Sequence, residues 1–324
     1  MKAAVLKKLG EAPVYEEFPD PVIANDQQEI ITIKSASVKN LDKARAAGTH
    51  YSGYKQLPAV AGIDGVGLLA DGTPVYAQGV SGTLAEKAVI NKGQYIKLPE
   101  GIDADTAAAL PNAVIGSAMA LQFRAKIKQG STVLVNGATG VTGIIAVQLA
   151  KYYGAGTVIA TGRNARQLEK AKELGADHII SLLQEDAEVI TQIKSIHQQT
   201  HIDYVIDYLW GRPAAMLLEA LQGAGVNYVS DKVTIVTVGA MAGDLLPLSS
   251  GTLRSSDIEI LGSGFGSLSS RQFQQFNTSL LPEAFQLVAE KKLHLEVDVV
   301  PLEDIQNAWN KPVSPGKRLV VKVS

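Results

Sequence analysis

Residues Ser131–Gly143 read STVLVNGATGVTG, and the fold is decided there. Thr132–Val135 is a short β-branched apolar run, the signature of a buried strand. Asn136–Gly143 is a tight turn with glycines at Gly137, Gly140 and Gly143. From Val141 the pattern turns helical, with Ile144, Ile145, Val147, Leu149 and Tyr152 forming a broad apolar face. Strand, glycine turn and helix start are the parts of a dinucleotide site: small residues admit a pyrophosphate, and the helix N-terminus offers free N–H groups and partial positive charge. The spacing G-x-x-G-x-x-G departs from the usual G-x-G-x-x-G. Context supports the reading, because a second apolar run, Thr157–Thr161, follows after one helix length and completes a βαβ unit.

The end of that second strand bears on the cofactor. Sites for the unphosphorylated dinucleotide carry an acid there for the ribose 2′-OH. This chain has Gly162, Arg163 and Asn164. A guanidinium pairs with a 2′-phosphate, whereas a carboxylate repels it, so an NADPH preference is expected. The alternative for Arg163 is a solvated loop charge. Thr139–Thr142 should meet the pyrophosphate with Gly137 and Gly143 shaping the turn, and Gly162 should admit Arg163. Arg166 is a weaker candidate.

The chain has 324 residues, room for two domains. Its net charge of −2 and lack of a basic block give nucleic acid no footing. No apolar run reaches the roughly 18–20 residues of a membrane span, and MKAAVLKKLG lacks a signal-peptide core. There are no cysteines, so disulfides and cysteine-held zinc or iron–sulfur centres are excluded. The histidines are scattered; His197 and His201 are four apart but no nearby acid completes a zinc motif. A cytoplasmic, metal-free enzyme is expected, acting on a small molecule with no nucleic-acid or membrane partner.

Around the central stretch, residues 1–115 read as β-rich, with strands at Met1–Leu9, Glu29–Val38, Ala59–Ala70 and Thr73–Ala77, a short helix at Leu41–Ala47 and a loop from Pro99 to Leu110. A helix leads from Ala113 towards Gly130. Strands are then expected at 132–136, 157–161, 178–181, 202–207, 233–238 and 258–262, with helices at 141–153, 164–174, 185–199 and 213–222. The fold class is α/β: a doubly wound parallel sheet beside a β-rich, barrel-like domain. The strand ends place Tyr208, Gly239 and Ser263 near the cofactor, Tyr208 as a flank for the adenosine, whereas Trp210 reads as packing. A helix at 281–291 follows, and 293–324 turns β-like again, returning to the first domain.

This order and several phrases resemble the medium-chain dehydrogenase/reductase superfamily, and most closely its zinc-free, quinone oxidoreductase-like (zeta-crystallin-like) branch. The phrases are Leu57–Gly67 (LPAVAGIDGVG), Gly82–Ala88 (GTLAEKA), Leu98–Asn112, Val135–Lys151, Gly162–Gly175 and Gly316–Val320 (GKRLV). The resemblance implies a discontinuous GroES-like catalytic domain at 1–115 and 293–324, and a Rossmann NADPH-binding domain at 116–292. Gly239 and Ser263 lie where the resembled fold meets the nicotinamide half. Zinc members of the superfamily would carry a cysteine at Lys39, a histidine at Ile63 and a further cysteine near Asn112; none of the three is a good zinc ligand here. The implied activity is reduction of quinones or activated C=C bonds (enones) by NADPH. A metal-free reductase of other carbonyl compounds and a non-enzymatic NADPH-binding sensor remain alternatives.

Reduction of such a substrate needs a slot for a flat molecule and a donor to its oxygen, where negative charge builds up. Asn40, Tyr51 and Tyr54 are the candidate catalytic residues, with Lys39 beside them. The branch usually shows Asn-Pro-x-Asp where this chain reads Lys39-Asn40-Leu41-Asp42. Against these roles, Asn40 reads equally as a turn residue, the tyrosines as surface aromatics and Lys39 as a solvated charge. The Tyr51-x-x-x-Lys55 spacing mimics the acid pair of short-chain dehydrogenases but lies upstream of the glycine turn, and is read as coincidence. Edge strand 258–262 suggests a homodimer, as does the resemblance.

Overall fold

The computed structural model describes residues 1–222 and 231–324. The chain divides into two compact units, Met1–Asn112 with Leu281–Ser324, and Ala113–Leu280. Helix Leu281–Ala289, which the sequence pattern groups with the dinucleotide domain, falls in the first unit.

The second unit is built on a six-stranded sheet. Its spatial order is His178–Ser181, Thr157–Gly162, Thr132–Asn136, Tyr204–Asp207, Val233–Thr237 and Ile258–Gly262, with every neighbouring pair parallel. The two half-sheets diverge from Thr132–Asn136, which pairs with Thr157–Gly162 on one side and Tyr204–Asp207 on the other. This is the doubly wound arrangement, and it puts the turn after the first strand at the topological switch point. The strands lack period-2 alternation because a sheet covered on both faces needs apolar residues at every position. Thr132–Asn136 is buried throughout. Leu134, Ile159, Val205 and Ile235 lie in one core cluster with Val189, Ile193 and Leu217 of the neighbouring helices.

In the first unit, strand Gln28–Val38 pairs with both Asp64–Leu68 and Lys87–Lys97. Strand Pro74–Gly79 joins those two, so four strands close on themselves as a barrel. Register shifts at Ile33/Ser35 and Ala77/Gly79 supply the bends that closure needs. Ile31, Ile33, Val75, Ala77, Ala88 and Ile90 are buried together inside. The tail strand Lys317–Lys322 lies antiparallel to Gln28–Val38 and carries Glu296–Pro301 on its far side. Met1 opens a smaller sheet of Val14–Glu17, Lys2–Leu6 and Ala59–Val60.

One element departs from expectation. Residues 104–110 are helical, not a loop, and the helix Ala104–Met119 runs through Pro111. Asp103 starts it by accepting the Thr106 N–H at 2.9 Å. Ala107–Leu110 are all buried. Their packing outweighs the roughly 3 kcal/mol that an interior proline costs. The helix continues as a π turn at Ala120–Ala125.

Candidate active site

In the second unit, the strand Thr132–Asn136 runs into Gly137 at φ 93°, a left-handed conformation that glycine takes without strain. A Cβ on Gly143 would lie 2.3 Å from the Gly137 carbonyl oxygen, so turn and helix meet backbone to backbone. Gly140 is different. It is exposed, and the nearest atom to a Cβ there would be 3.9 Å away. It is the N-cap of helix Val141–Tyr152, which has no side-chain cap. Among the described residues the first-turn amides of Val141, Thr142 and Gly143 have no side-chain acceptor, and an uncapped turn of this kind suits a phosphate. Thr139 and Thr142 are half-buried at its rim.

Gly162 ends the second strand against this turn. A Cβ there would stand 2.2 Å from Thr139 Cγ2, so only glycine fits. The sequence reading credited Gly162 with admitting Arg163; its neighbour Thr139 is the tighter constraint. Arg163 is exposed, with no hydrogen bond or ion pair among the described residues. Arg166 is exposed on the helix Ala165–Glu173. Asn164 caps that helix, accepting the Gln167 N–H at 3.0 Å. Gly239 and Ser263 are half-buried just past the ends of their strands, where the Ser263 N–H donates to the Thr237 carbonyl at 2.8 Å.

A buried polar row crosses the same sheet end. Thr161 Oγ1 donates to Asn136 Oδ1 at 2.6 Å, and Asn136 Nδ2 donates to Asp207 Oδ1 at 2.7 Å. Asp207 also accepts the N–H groups of Leu209 at 3.0 Å and Trp210 at 3.1 Å. Burial pushes its carboxyl above the ordinary range, while these donors pull the other way. The bond to Trp210 holds that residue at φ 53° at the head of helix Gly211–Ala220. Tyr208 is 8% exposed and its hydroxyl donates to the Gly116 carbonyl at 2.9 Å. Tyr208, expected from the sequence to flank the adenosine, therefore presents little surface.

The first unit holds a second cluster, around Lys39. From the sequence this residue reads as a solvated charge, whereas in the structure it is 3% exposed. Its Nζ lies 2.6 Å from Asp64 Oδ1 and 3.3 Å from Asp42 Oδ2, and donates to the Ser37 carbonyl and hydroxyl oxygens at 3.1 and 3.2 Å. Asp42 Oδ2 also accepts the Lys39 backbone N–H at 2.8 Å, fixing the start of helix Asn40–Ala46. Tyr76 donates its hydroxyl to Asp64 Oδ2 at 3.0 Å. Burial pulls the Lys39 ammonium down, but Asp42 and Asp64 outweigh it and its pKa ends up raised. Burial likewise raises the Asp42 carboxyl and the Tyr76 phenol. Asp42 Oδ1 has no hydrogen-bond partner among the described residues. These residues do not fit a zinc ion: the cation's place is filled by an ammonium with its three protons engaged, and Ile63 has no donor atom. Among the described residues no three His, Asp or Glu side chains are grouped to hold a metal.

Tyr51 and Tyr54 line one pocket of about 660 Å³ in the first unit. Tyr51 is 89% exposed and its ring lies 4.2 Å from that of His50. Tyr54 is half-buried, with the Arg45 guanidinium 5.0 Å from its ring centroid. Burial pushes its phenol up, which keeps the proton on at neutral pH. Asn40 is exposed in the first turn of its helix and does not line this pocket. Asp64, Tyr76 and Arg45 escaped the sequence reading because nothing in their spacing separates a buried ion pair or a pocket cation from surface charge.

Comparison with known proteins agrees with this architecture. Residues 141–283 match the family model for zinc-binding dehydrogenases. The chain is 27% identical to a probable NADPH-dependent quinone reductase of Emericella nidulans over 348 residues, covering 95% of this chain and 96% of that protein. It is 32% identical over 212 residues to the chloroplastic NADPH-dependent alkenal/one oxidoreductase of Arabidopsis thaliana, covering 58% of this chain and 54% of the relative. In fold it is similar to the quinone oxidoreductase of Thermus thermophilus, with a TM-score of 0.77 and 24% identity over the whole of both chains. The chain is an oxidoreductase, similar to the medium-chain dehydrogenase/reductase superfamily and within it to the quinone oxidoreductase-like branch.

Proposed function

We propose that the chain is an NADPH-dependent reductase of quinones or enones that works without zinc. The observation that carries the zinc independence is the buried Lys39 ammonium bonded to Asp64 and Asp42, where zinc members of the superfamily place a metal-binding thiolate. The relatives named for NADPH and for quinone or alkenal substrates support the rest of the reading.

Gly137, Thr139, Gly140, Val141, Thr142 and Gly143 would hold the pyrophosphate, through the open face at Gly140 and the uncapped amides behind it. Arg163, exposed and without a partner among the described residues, would pair with the 2′-phosphate; Gly239 and Ser263 would meet the nicotinamide half. Bound there, NADPH supplies the hydride. Tyr51 and Tyr54 would flank a flat substrate, and Tyr54, its proton held on by burial, would donate to the oxygen that gains negative charge. Lys39 is not such a donor, because its protons are engaged inside the protein. Asn40, the exposed amide next to Lys39 in sequence, lies outside that pocket and is given no part in holding the substrate. Solvent would supply the final proton. Ile258–Gly262 is an edge strand, and pairing with its twin would make a homodimer; sedimentation as a monomer at micromolar concentration refutes that part.

The test is NADPH oxidation by chelator-treated protein against quinones, enones and saturated ketones, with NADH in parallel. Turnover of quinones or enones, faster with NADPH and indifferent to chelator, is the expected result. Activity restored only by added zinc overturns the reading.

A further inference from the structure

The pocket lined by Tyr51 and Tyr54 has a charge pattern that reduction of a neutral quinone does not require. Two cationic side chains reach it, Arg45 and Lys55, and one carboxylate, Asp20. Asp20 is already engaged, by the Met1 amine at 3.0 Å and by the Lys87 ammonium. Arg45 has no carboxylate partner among the described residues. Its Nε donates to the Ser52 carbonyl at 2.8 Å, and its plane stands over the Tyr54 ring. These two contacts fix the guanidinium while leaving both Nη groups open. Lys55 is exposed and forms no bond among the described residues.

The rest of the pocket is apolar or bare backbone. Phe18, Val60 and Val80 form walls with the two tyrosines. Gly62, Gly79 and Gly82 contribute main chain, and a Cβ at any of them would come within 2.6 Å of a neighbouring atom. The volume suits a small ligand with an apolar body. A pre-oriented guanidinium with two free amino groups matches a planar carboxylate in bidentate geometry.

We infer that this pocket selects substrates carrying a carboxylate on an apolar, planar body, with Arg45 as the anion-binding residue and Lys55 at the rim. The inference rests on the reading of Tyr51 and Tyr54 as substrate-facing. A carboxylated quinone or enone is then the substrate class, and the reaction supplying it must leave an acid group attached to the ring or chain.

Direct binding tests this without turnover, so failure here is separate from failure of the reductase assay. 2-Naphthoate, neutral 2-naphthamide and 2-naphthyl phosphate serve as non-reducible probes in calorimetry. Wild-type protein is expected to bind the naphthoate at least tenfold more tightly than the amide. Arg45→Met, which keeps an apolar stem beside Tyr54, should remove that preference and leave amide affinity unchanged. Lys55→Glu, at a side chain with no bond to lose, should weaken naphthoate binding several-fold without changing the melting temperature. Equal binding of acid and amide by the wild type, binding of neither, or a preference that survives both variants overturns the inference. Tighter binding of the phosphate than of the naphthoate overturns the carboxylate assignment.

Discussion

Replacing Lys39 by Met keeps most of the side-chain volume and removes one charge from a site where it is 3% exposed. The Asp42 and Asp64 side chains, 0% and 10% exposed, then face each other without their shared cation. Asp64 keeps the Tyr76 hydroxyl, Asp42 keeps one backbone N–H, and Asp42 Oδ1 has no hydrogen-bond partner among the described residues even in the wild type. Breaking a buried pair from one side costs about 3–5 kcal/mol. In a unit of roughly 150 residues, at about 2–4 °C per kcal/mol, this is a fall in Tm of about 6–20 °C. The pH dependence gives a second signature. With the ammonium gone, one of the two carboxylates must take up a proton, so its folded pKa rises above the unfolded value. The variant therefore gains stability relative to wild type as pH falls through the mildly acid range. At the alkaline end the sign is opposite. The raised Lys39 pKa contributes stability that is complete below the unfolded value of 10.5 and is lost as pH rises through the folded value, and only the wild type has this alkaline limb. Thermal melts of both proteins from pH 5 to pH 11.5 are the assay, the acid limb and the onset of the alkaline limb both lying inside that range. A variant within about 1 kcal/mol of wild type at pH 7, with a parallel pH profile, refutes the account of Lys39 as the cation holding two buried carboxylates.

Arg163→Ala should weaken NADPH binding by about ten- to a hundredfold, from loss of one charge-assisted pair worth about 1.5–3 kcal/mol, and leave NADH nearly unchanged; equal losses in a titration with both nucleotides count against the 2′-phosphate role. Gly140→Ala has room for its methyl group and an extended backbone at φ −88°, so Tm should hold while cofactor affinity drops. Gly143→Ala, with its Cβ 2.3 Å from a carbonyl oxygen, should instead lower Tm; the reverse pattern refutes the assignment of Gly140 as the ligand-facing glycine. Burial raises the Asp207 carboxyl, so its contribution to stability is complete below the unfolded value of 3.8 and lost as pH rises through the folded value. Asp207→Asn should accordingly flatten the acid part of the stability profile, and parallel wild-type and variant melts between pH 4 and pH 7 would show that Asp207 is not the group responsible.

The parallel sheet was legible because each of its strands is a short run of mostly apolar and β-branched residues ending at glycine or a small polar residue. Thr132–Asn136, His178–Ser181 and Ile258–Gly262 lie where the pattern put them. The barrel was less legible. Its long strand Lys87–Lys97 is half-exposed and is interrupted by Asn91, Lys92, Gly93 and Gln94, so no clear alternation marks it. Pro111 hid the helix Ala104–Met119, since local propensity says break where burial of Ala107–Leu110 says continue. At the site, the glycine turn was visible because backbone geometry forces glycine at Gly137 and Gly143. The Lys39 cluster was not: Asp64 and Tyr76 reach it from two other strands, and only tertiary pairing reveals that a lysine in this chain is an interior cation.

The carboxylate of Asp207 sits fully inside the sheet, yet two of its donors, the amides of Leu209 and Trp210, belong to the loop beyond the strand. Loop amides ordinarily trade their hydrogens with solvent quickly. These two have an acceptor locked to Asn136 and, through it, to Thr161, so they are released only when three adjacent strands part. In deuterium exchange, the amides of Leu209 and Trp210 therefore keep time with the opening of the central sheet and not with the loop that carries them.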